Sequence, residues 1–217
     1  MPSLALRTQD MPASPIRKLA PFADAARARG IHIHQLNIGQ PDLETPPAFL
    51  QAIEAANIKT IAYAPSNGYA SYREKLARHY EAYGIHVGPE EILITTGGSE
   101  AVIFAMMACF DPGDELIVPE PFYANYLGFA RMVGVELVPI LCHLEGGYAL
   151  PPVSHFEQKI TPRTRGIILN NPTNPTGRVY GEDALKGLEQ VVRKHDLYLL
   201  ADEVYKEFVY EGEAFYS

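Results

Sequence analysis

Apolar residues recur at helical spacing between Pro15 and Arg29, where Ile16, Leu19, Ala20, Ala23 and Ala26 share a side, Ser14 stands as an N-cap and Gly30 as a stop. "IHIHQLNIGQPDLETPP" then alternates as a strand does before breaking into a Gly/Pro loop. Helical spacing returns in "PPAFLQAIEAAN", with Pro47 in its first turn, and in "YASYREKLARHYEAYG", which ends at Gly84. Beyond it the rhythm is strand, glycine, helix. "EEILITTGGSEAVIFAMMACF" sets the strand-like "ILI" before a glycine pair, and Ser99 to Phe110 is apolar on most sides, as a buried helix is. "DELIVPEP" and "VELVPI" read as strands around the helical "YANYLGFARMVG"; "RGIILNNP" and "LYLLADE" read as strands around "EDALKGLEQVVRKH".

"GIILN" and "LYLLA" lack polar alternation, the pattern of parallel strands covered by helices on both faces. The expected fold is therefore α/β of the doubly wound type, with residues 1–45 as an N-terminal arm and part of a smaller domain. A chain of 217 residues that is 47% hydrophobic can bury a substantial core. Its formal charge of −8, without a run of five Lys/Arg, argues against nucleic acid as a partner. Cys109 and Cys142 form no C-x-x-C, so neither a metal site nor a disulfide framework is expected. The N-terminal stretch has no continuous apolar core, and no window of about 18 apolar residues occurs. The expectation is a soluble cytoplasmic protein with no membrane partner.

In open parallel sheets ligands bind beyond the carboxyl ends of the strands, so the loops after "ILI", "ELIV", "IILN" and "LYLLA" should converge on one crevice. After "ILI", Gly97 and Gly98 permit close backbone approach and Ser99 opens a helix whose free N–H groups favour a phosphate, although a plain N-cap would look the same. After "ELIV", Phe122 and Tyr123 offer a ring for a flat ligand, or for the core. After "IILN", Pro172 and Pro175 stiffen a turn in which Asn171 and Asn174 supply amides able to orient a ligand oxygen. After "LYLLA", Asp202 ends an apolar strand, where a carboxylate is costly unless it caps the backbone or meets a cation; Tyr205 follows three residues on. A phosphate, a planar ring, a ring oxygen and a ring cation together describe pyridoxal 5'-phosphate.

With these residues in view, the chain resembles the fold-type I pyridoxal-phosphate aminotransferases of class I, in particular their aspartate-aminotransferase-like branch. The resemblance runs from "LNIGQPD" through "YAPSNGYASYREKLA", "TTGGSEA", "PFYANY" and "NNPTNPTG" to "ADEVY". It implies that Gly98, Ser99 and Glu100 hold the cofactor phosphate through backbone N–H groups and the Ser99 hydroxyl, and that Tyr123 stacks on the ring. It makes Asn174 and Tyr205 partners of the ring's phenolic oxygen and Asp202 the partner of its nitrogen, with Asp202 and Tyr205 in catalytic roles. Gly39 would lie against the substrate carboxylate, Asn174 would share in substrate binding, and Tyr63 would reach the phosphate of a neighbouring subunit, which implies a homodimer with shared active sites.

The activity so implied is amino-group transfer between an L-amino acid, aspartate among the candidates, and a 2-oxo acid by a ping-pong route. A non-catalytic cofactor-binding or regulatory protein of the same fold, or another enzyme acting at Cα such as a C–S β-lyase, are the alternatives. The family's Schiff-base lysine and carboxylate-binding arginine fall beyond "ADEVY" and have no counterpart within these residues. Residues 46–217 are accordingly expected to be the incomplete N-terminal part of the cofactor-binding large domain, in a truncated chain. Lys206 matches no nucleophile position and is expected to be a solvated side chain.

Overall fold

Of the 217 residues, the computed structural model describes all but 1, 6, 7, 10, 12–16, 38, 40, 211 and 213. The chain divides into two compact units, residues 13–69 and residues 1–12 with 70–217.

The first unit contains α1 (Ala20–Arg27) and α2 (Pro47–Ala55), each with proline in its first turn. Gly30, at φ 78°, ends α1 as its position requires: its N–H reaches Arg27 O, and Ile31 N–H reaches back to Ala26 O. Ser14, Pro15 and Ile16, the expected cap and first turn, lie outside the described residues. The strand expected in "IHIHQLN" is not formed. Alternation supplies faces for a strand but no ladder partner, and among the described residues none pairs with it.

The second unit runs α3 (Ala70–Glu81), α4 (Gly98–Cys109), β1 (Glu115–Glu120), α5 (Asn125–Val133), β2 (Glu136–Leu141), α6 (Val153–Lys159), β3 (Thr164–Asn170), α7 (Glu182–His195) and β4 (Tyr198–Asp202). The four strands form one parallel sheet in the order β2-β1-β3-β4, as expected for the doubly wound class. The chain steps outward from β1 to β2, then returns to the other side of β1 for β3. The order therefore reverses between β1 and β3, and a crevice opens outside their carboxyl ends.

Strand side chains alternate between two cores. Leu116, Val118 and Ile168 pack with Met106 and Phe110 of the α4 segment and Tyr126 and Phe129 of α5; Ile117, Ile167 and Leu169 pack with Phe156 of α6 and Leu188 and Val191 of α7. β1 and β3, each with two neighbours, are buried along nearly their whole length.

Three expectations need correction. "ILI" joins no strand among the described residues: the edges of the sheet are β2 and β4, and neither pairs with it. Only Met106 of α4 is buried, while Phe104 and Met107 are 43% and 63% exposed; the helix packs one side on the sheet and α5, and its other side faces outward. β4 is not covered on both faces: as an edge strand it leaves Tyr198 54% and Leu199 37% exposed. A further helix, α6, had not been anticipated. Its seven residues are too few to show a period, and it buries Phe156 alone.

Candidate active site

The site is assembled where β3 and β4 end side by side, Asn170 opposite Asp202 in the ladder. Asn170 Nδ2 and the Asn171 N–H both donate to the Asp202 carbonyl, at 2.9 and 3.0 Å. Asn170 Oδ1 accepts the Asn174 N–H at 2.6 Å, folding the loop back over the strand end. That fold brings the Asn174 amide to the Tyr205 hydroxyl, Nδ2 to Oη 3.1 Å.

The two loop asparagines then part ways. Asn171 is buried, its Oδ1 accepting the Tyr180 N–H at 2.9 Å and its Nδ2 donating to the carbonyls of Tyr216 and Tyr180 at 3.3 and 3.5 Å. Its amide ties the loop to the following chain and does not face the crevice, contrary to the expectation that it could orient a ligand oxygen. Thr173 adds to the brace, hydrogen-bonding the Thr176 hydroxyl and accepting the Arg178 N–H at 3.0 Å.

Asp202 is fixed from behind. Its Oδ2 accepts the Tyr126 hydroxyl at 2.5 Å and its Oδ1 the Val204 N–H at 3.3 Å, while among the described residues no ion pair claims it. Asp202 is half-buried and lines the cleft, so a cationic group there would meet a carboxylate already held in place. Tyr126 is 1% exposed, and burial, then the charge of Asp202, pushes its hydroxyl far above the usual tyrosine range. It is a neutral donor at every working pH.

Across the crevice stands the start of α4. Gly97 holds φ 84° and ψ 173°, a conformation open essentially to glycine, and a Cβ on Gly98 would lie 3.2 Å from Val204 Cγ1. Glu100 Oε2 accepts the Thr96 N–H at 2.5 Å, so its carboxylate holds the turn and only its backbone N–H is left for a ligand. No side-chain hydrogen bond caps α4 at Gly97, and free N–H groups in the first turn of a helix, at its positive end, favour an anion. Tyr123 closes the side: its hydroxyl accepts from Asn125 Nδ2 at 2.6 Å, and its ring stands edge-on to Tyr126, centroids 5.4 Å apart.

Gly98, Ser99, Tyr123, Asn174, Asp202 and Tyr205 all line one cleft of about 220 Å³, together with Asn170, Val102, Phe129 and Val204. Gly39 and Tyr63 belong to the other unit, where Tyr63 is fully exposed. Lys206 is not simply solvated as expected: its Nζ lies 4.1 Å from the centre of the Tyr83 ring and 2.9 Å from His79 Nε2. The sequence reading missed Asn170 and Tyr126. Asn170 shared the strand-end position of Asp202, which was a usable signal; Tyr126 showed only a polar tip within an apolar helix. Among the described residues no group of three or more His, Cys, Asp or Glu could hold a metal ion, and no helix is long and apolar enough to cross a membrane.

One cleft thus gathers an uncapped helix start, an aromatic wall, an amide–tyrosine pair and a carboxylate held by Tyr126 and the Val204 N–H. The model of the family described as "Aminotransferase class I and II" matches residues 31–217, and the chain belongs to that family. It is 36% identical over 217 residues to the aspartate/prephenate aminotransferase of Thermus thermophilus, covering 99% of this chain and 56% of that protein. It is 35% identical over 193 residues to the glutamate-pyruvate aminotransferase AlaA of Escherichia coli K12, covering 87% and 47%. The solved aspartate aminotransferase from Thermus thermophilus with maleate superposes at a TM-score of 0.91 with 35% identity, over 99% of this chain and 56% of that one. The chain thus spans about half the length of the curated relatives it matches.

Proposed function

We propose that the protein is a pyridoxal-phosphate-dependent aminotransferase that moves an amino group between an L-amino acid and a 2-oxo acid. The observation that carries this reading is the convergence of Gly98, Ser99, Tyr123, Asn174, Asp202 and Tyr205 on one cleft at the sheet's switch point. The names of the relatives, aspartate/prephenate and glutamate-pyruvate aminotransferases, favour acidic and small amino acids as substrates.

The cleft fits the cofactor on two counts: the α4 first turn offers uncapped N–H groups to a phosphate, and Asp202 offers a carboxylate without a cation to a protonated ring nitrogen. The N–H groups of Gly98, Ser99 and Glu100 and the Ser99 hydroxyl would hold the phosphate. Tyr123 would cover a ring face, and Asn174 and Tyr205 would donate to the ring oxygen. Pyridoxal phosphate, when bound, supplies an electron sink for the charge released at the substrate Cα. Asp202 serves that chemistry by holding the proton on the ring nitrogen, where the positive charge is most useful. Gly39 is assigned to the substrate carboxylate, and Tyr63 to the phosphate of a second subunit in a homodimer; the full exposure of Tyr63 is what an aromatic reserved for a partner requires.

The test is to reduce the complete gene product with borohydride in the presence of pyridoxal 5'-phosphate, weigh it intact, and assay the unreduced protein with L-aspartate, L-glutamate and L-alanine against 2-oxo acids. One cofactor fixed per chain, with turnover of at least one pair, is the expected result. Cofactor fixed without turnover of any pair would make the protein a binding or regulatory relative, and no cofactor fixed would remove the reading altogether.

A further inference from the structure

We propose that Tyr126 is a positioning residue whose buried hydroxyl fixes the Asp202 carboxylate in the orientation that meets a cationic ring nitrogen. The proposal rests on the reading above that Asp202 faces that nitrogen.

Tyr126 lies in an otherwise apolar cluster with Met106, Phe129 and Ile168, where phenylalanine would fill the same space. Packing therefore does not account for the hydroxyl. What does account for it lies 76 residues away in sequence: Oη donates to Asp202 Oδ2 at 2.5 Å, while the Val204 N–H takes Oδ1 at 3.3 Å. Each carboxylate oxygen thus has one donor on the protein side. Rotation of the carboxylate about its Cβ–Cγ bond would break both contacts at once, and a charge-assisted bond from a buried hydroxyl is the stronger of the two. A carboxylate has about four acceptor positions, so capacity remains for a ligand in the cleft that Asp202 lines.

Tyr126 itself is not part of the lining of that 220 Å³ cleft, so it acts on a ligand only through Asp202. Burial pushes its hydroxyl well above the usual range, which keeps the proton on Tyr126 and the negative charge on Asp202. The same side chain stands edge-on to Tyr123, with a centroid separation of 5.4 Å. One buried tyrosine therefore sets the carboxylate for the ring nitrogen and supports the aromatic wall beside it.

The experiment compares the complete gene product with its Tyr126→Phe variant by titration with two probes: pyridoxal 5'-phosphate, and its deaza analogue in which a C–H replaces the ring nitrogen. Wild type should prefer the nitrogen-bearing probe. The variant should bind pyridoxal phosphate about tenfold more weakly, the scale of a lost hydrogen bond to a charged group, and bind the analogue as wild type does. In an Asp202→Asn background, Tyr126→Phe should have no further effect on either probe, and this pair of measurements decides the matter even if the single variant melts early. A role confined to packing would weaken both probes equally, and that result, or no change in either, overturns the proposal. Wild type that binds neither probe would show that the cofactor reading itself had failed, whereas wild type that binds both equally would leave that reading standing and overturn the pairing of Asp202 with the ring nitrogen, and the role of Tyr126 with it.

Discussion

Each face of the sheet buries one tyrosine whose hydroxyl finds a partner inside the core. On the α4 and α5 face Tyr126 meets Asp202; on the α6 and α7 face Tyr180 meets the Cys142 thiol. Burial is the leading cause of a raised pKa in both, so both stay neutral. Their partners separate them. The buried Cys142 thiol, itself pushed up by burial, carries no charge and does not line the cleft. A carboxylate at the end of β4 lines the cleft and carries a charge that a ligand can use. The same packing device yields structure on one face and a site on the other, because only the first core borders the crevice where the strand order reverses.

The contrast can be broken hardest from the structural face. Phe156 is fully buried between α6 and the sheet, and Phe156→Ala should cost about 3–5 kcal/mol of stability. Urea denaturation measures the loss. Cofactor affinity per folded molecule should not move, and a matching fall in affinity would mean that the two faces are coupled after all.

On the site face the balance reverses. Asp202→Ala should lower kcat/KM on the order of 100-fold or more, the scale of removing one preorganised charge, while circular dichroism reports a retained fold. Turnover near the wild-type rate would remove Asp202 from the chemistry and leave it as a cap for Val204.

Neighbouring asparagines give a smaller and sharper version of the same contrast. Asn171→Ala strands the buried Tyr180 N–H and should cost about 1–3 kcal/mol of stability. Asn174→Ala breaks one bond to a cleft tyrosine and should cost under about 1 kcal/mol, yet weaken cofactor binding more than Asn171→Ala does. Equal effects on stability and binding from both would show that the loop acts as one unit.

These asparagines also mark how far the sequence could be read. Two Asn-Pro pairs three residues apart look alike on the page, and only the folded chain shows that one is bound to Tyr180 and the other to Tyr205. The sheet was legible because "ELIV" and "IILN" are uninterrupted apolar runs, and α7 because its apolar positions keep a helical period through Leu188, Val191 and Val192. Most of the cleft was legible too, since strand ends in a parallel sheet must gather at one edge. What could not be read was whatever depends on a distant partner. "ILI" has strand composition but no ladder, β4 has a buried strand's composition at an exposed edge, and Tyr126 needs an acceptor 76 residues on.

The smallest expected effect lies on the structural face, where α6 and α7 are joined at the surface by Glu157. Its Oε1 accepts from Lys194 Nζ at 2.7 Å and lies 3.4 Å from His195 Nε2. The hydrogen bond from Lys194, then that from His195, holds its carboxyl below the ordinary value of 4.5. A carboxylate whose pKa is depressed on folding adds stability that is complete above the unfolded value and is lost as pH falls through the folded one. Glu157→Gln should therefore lower Tm slightly near neutral pH, and the gap from wild type should close as pH is taken from about 6 to about 3. Because the pair borders the core that lacks the cleft, cofactor affinity should be the same in both proteins throughout. A gap that stays constant across that range would mean that Glu157 contributes packing rather than charge, and a change in affinity would undo the separation of the two faces from its weakest point.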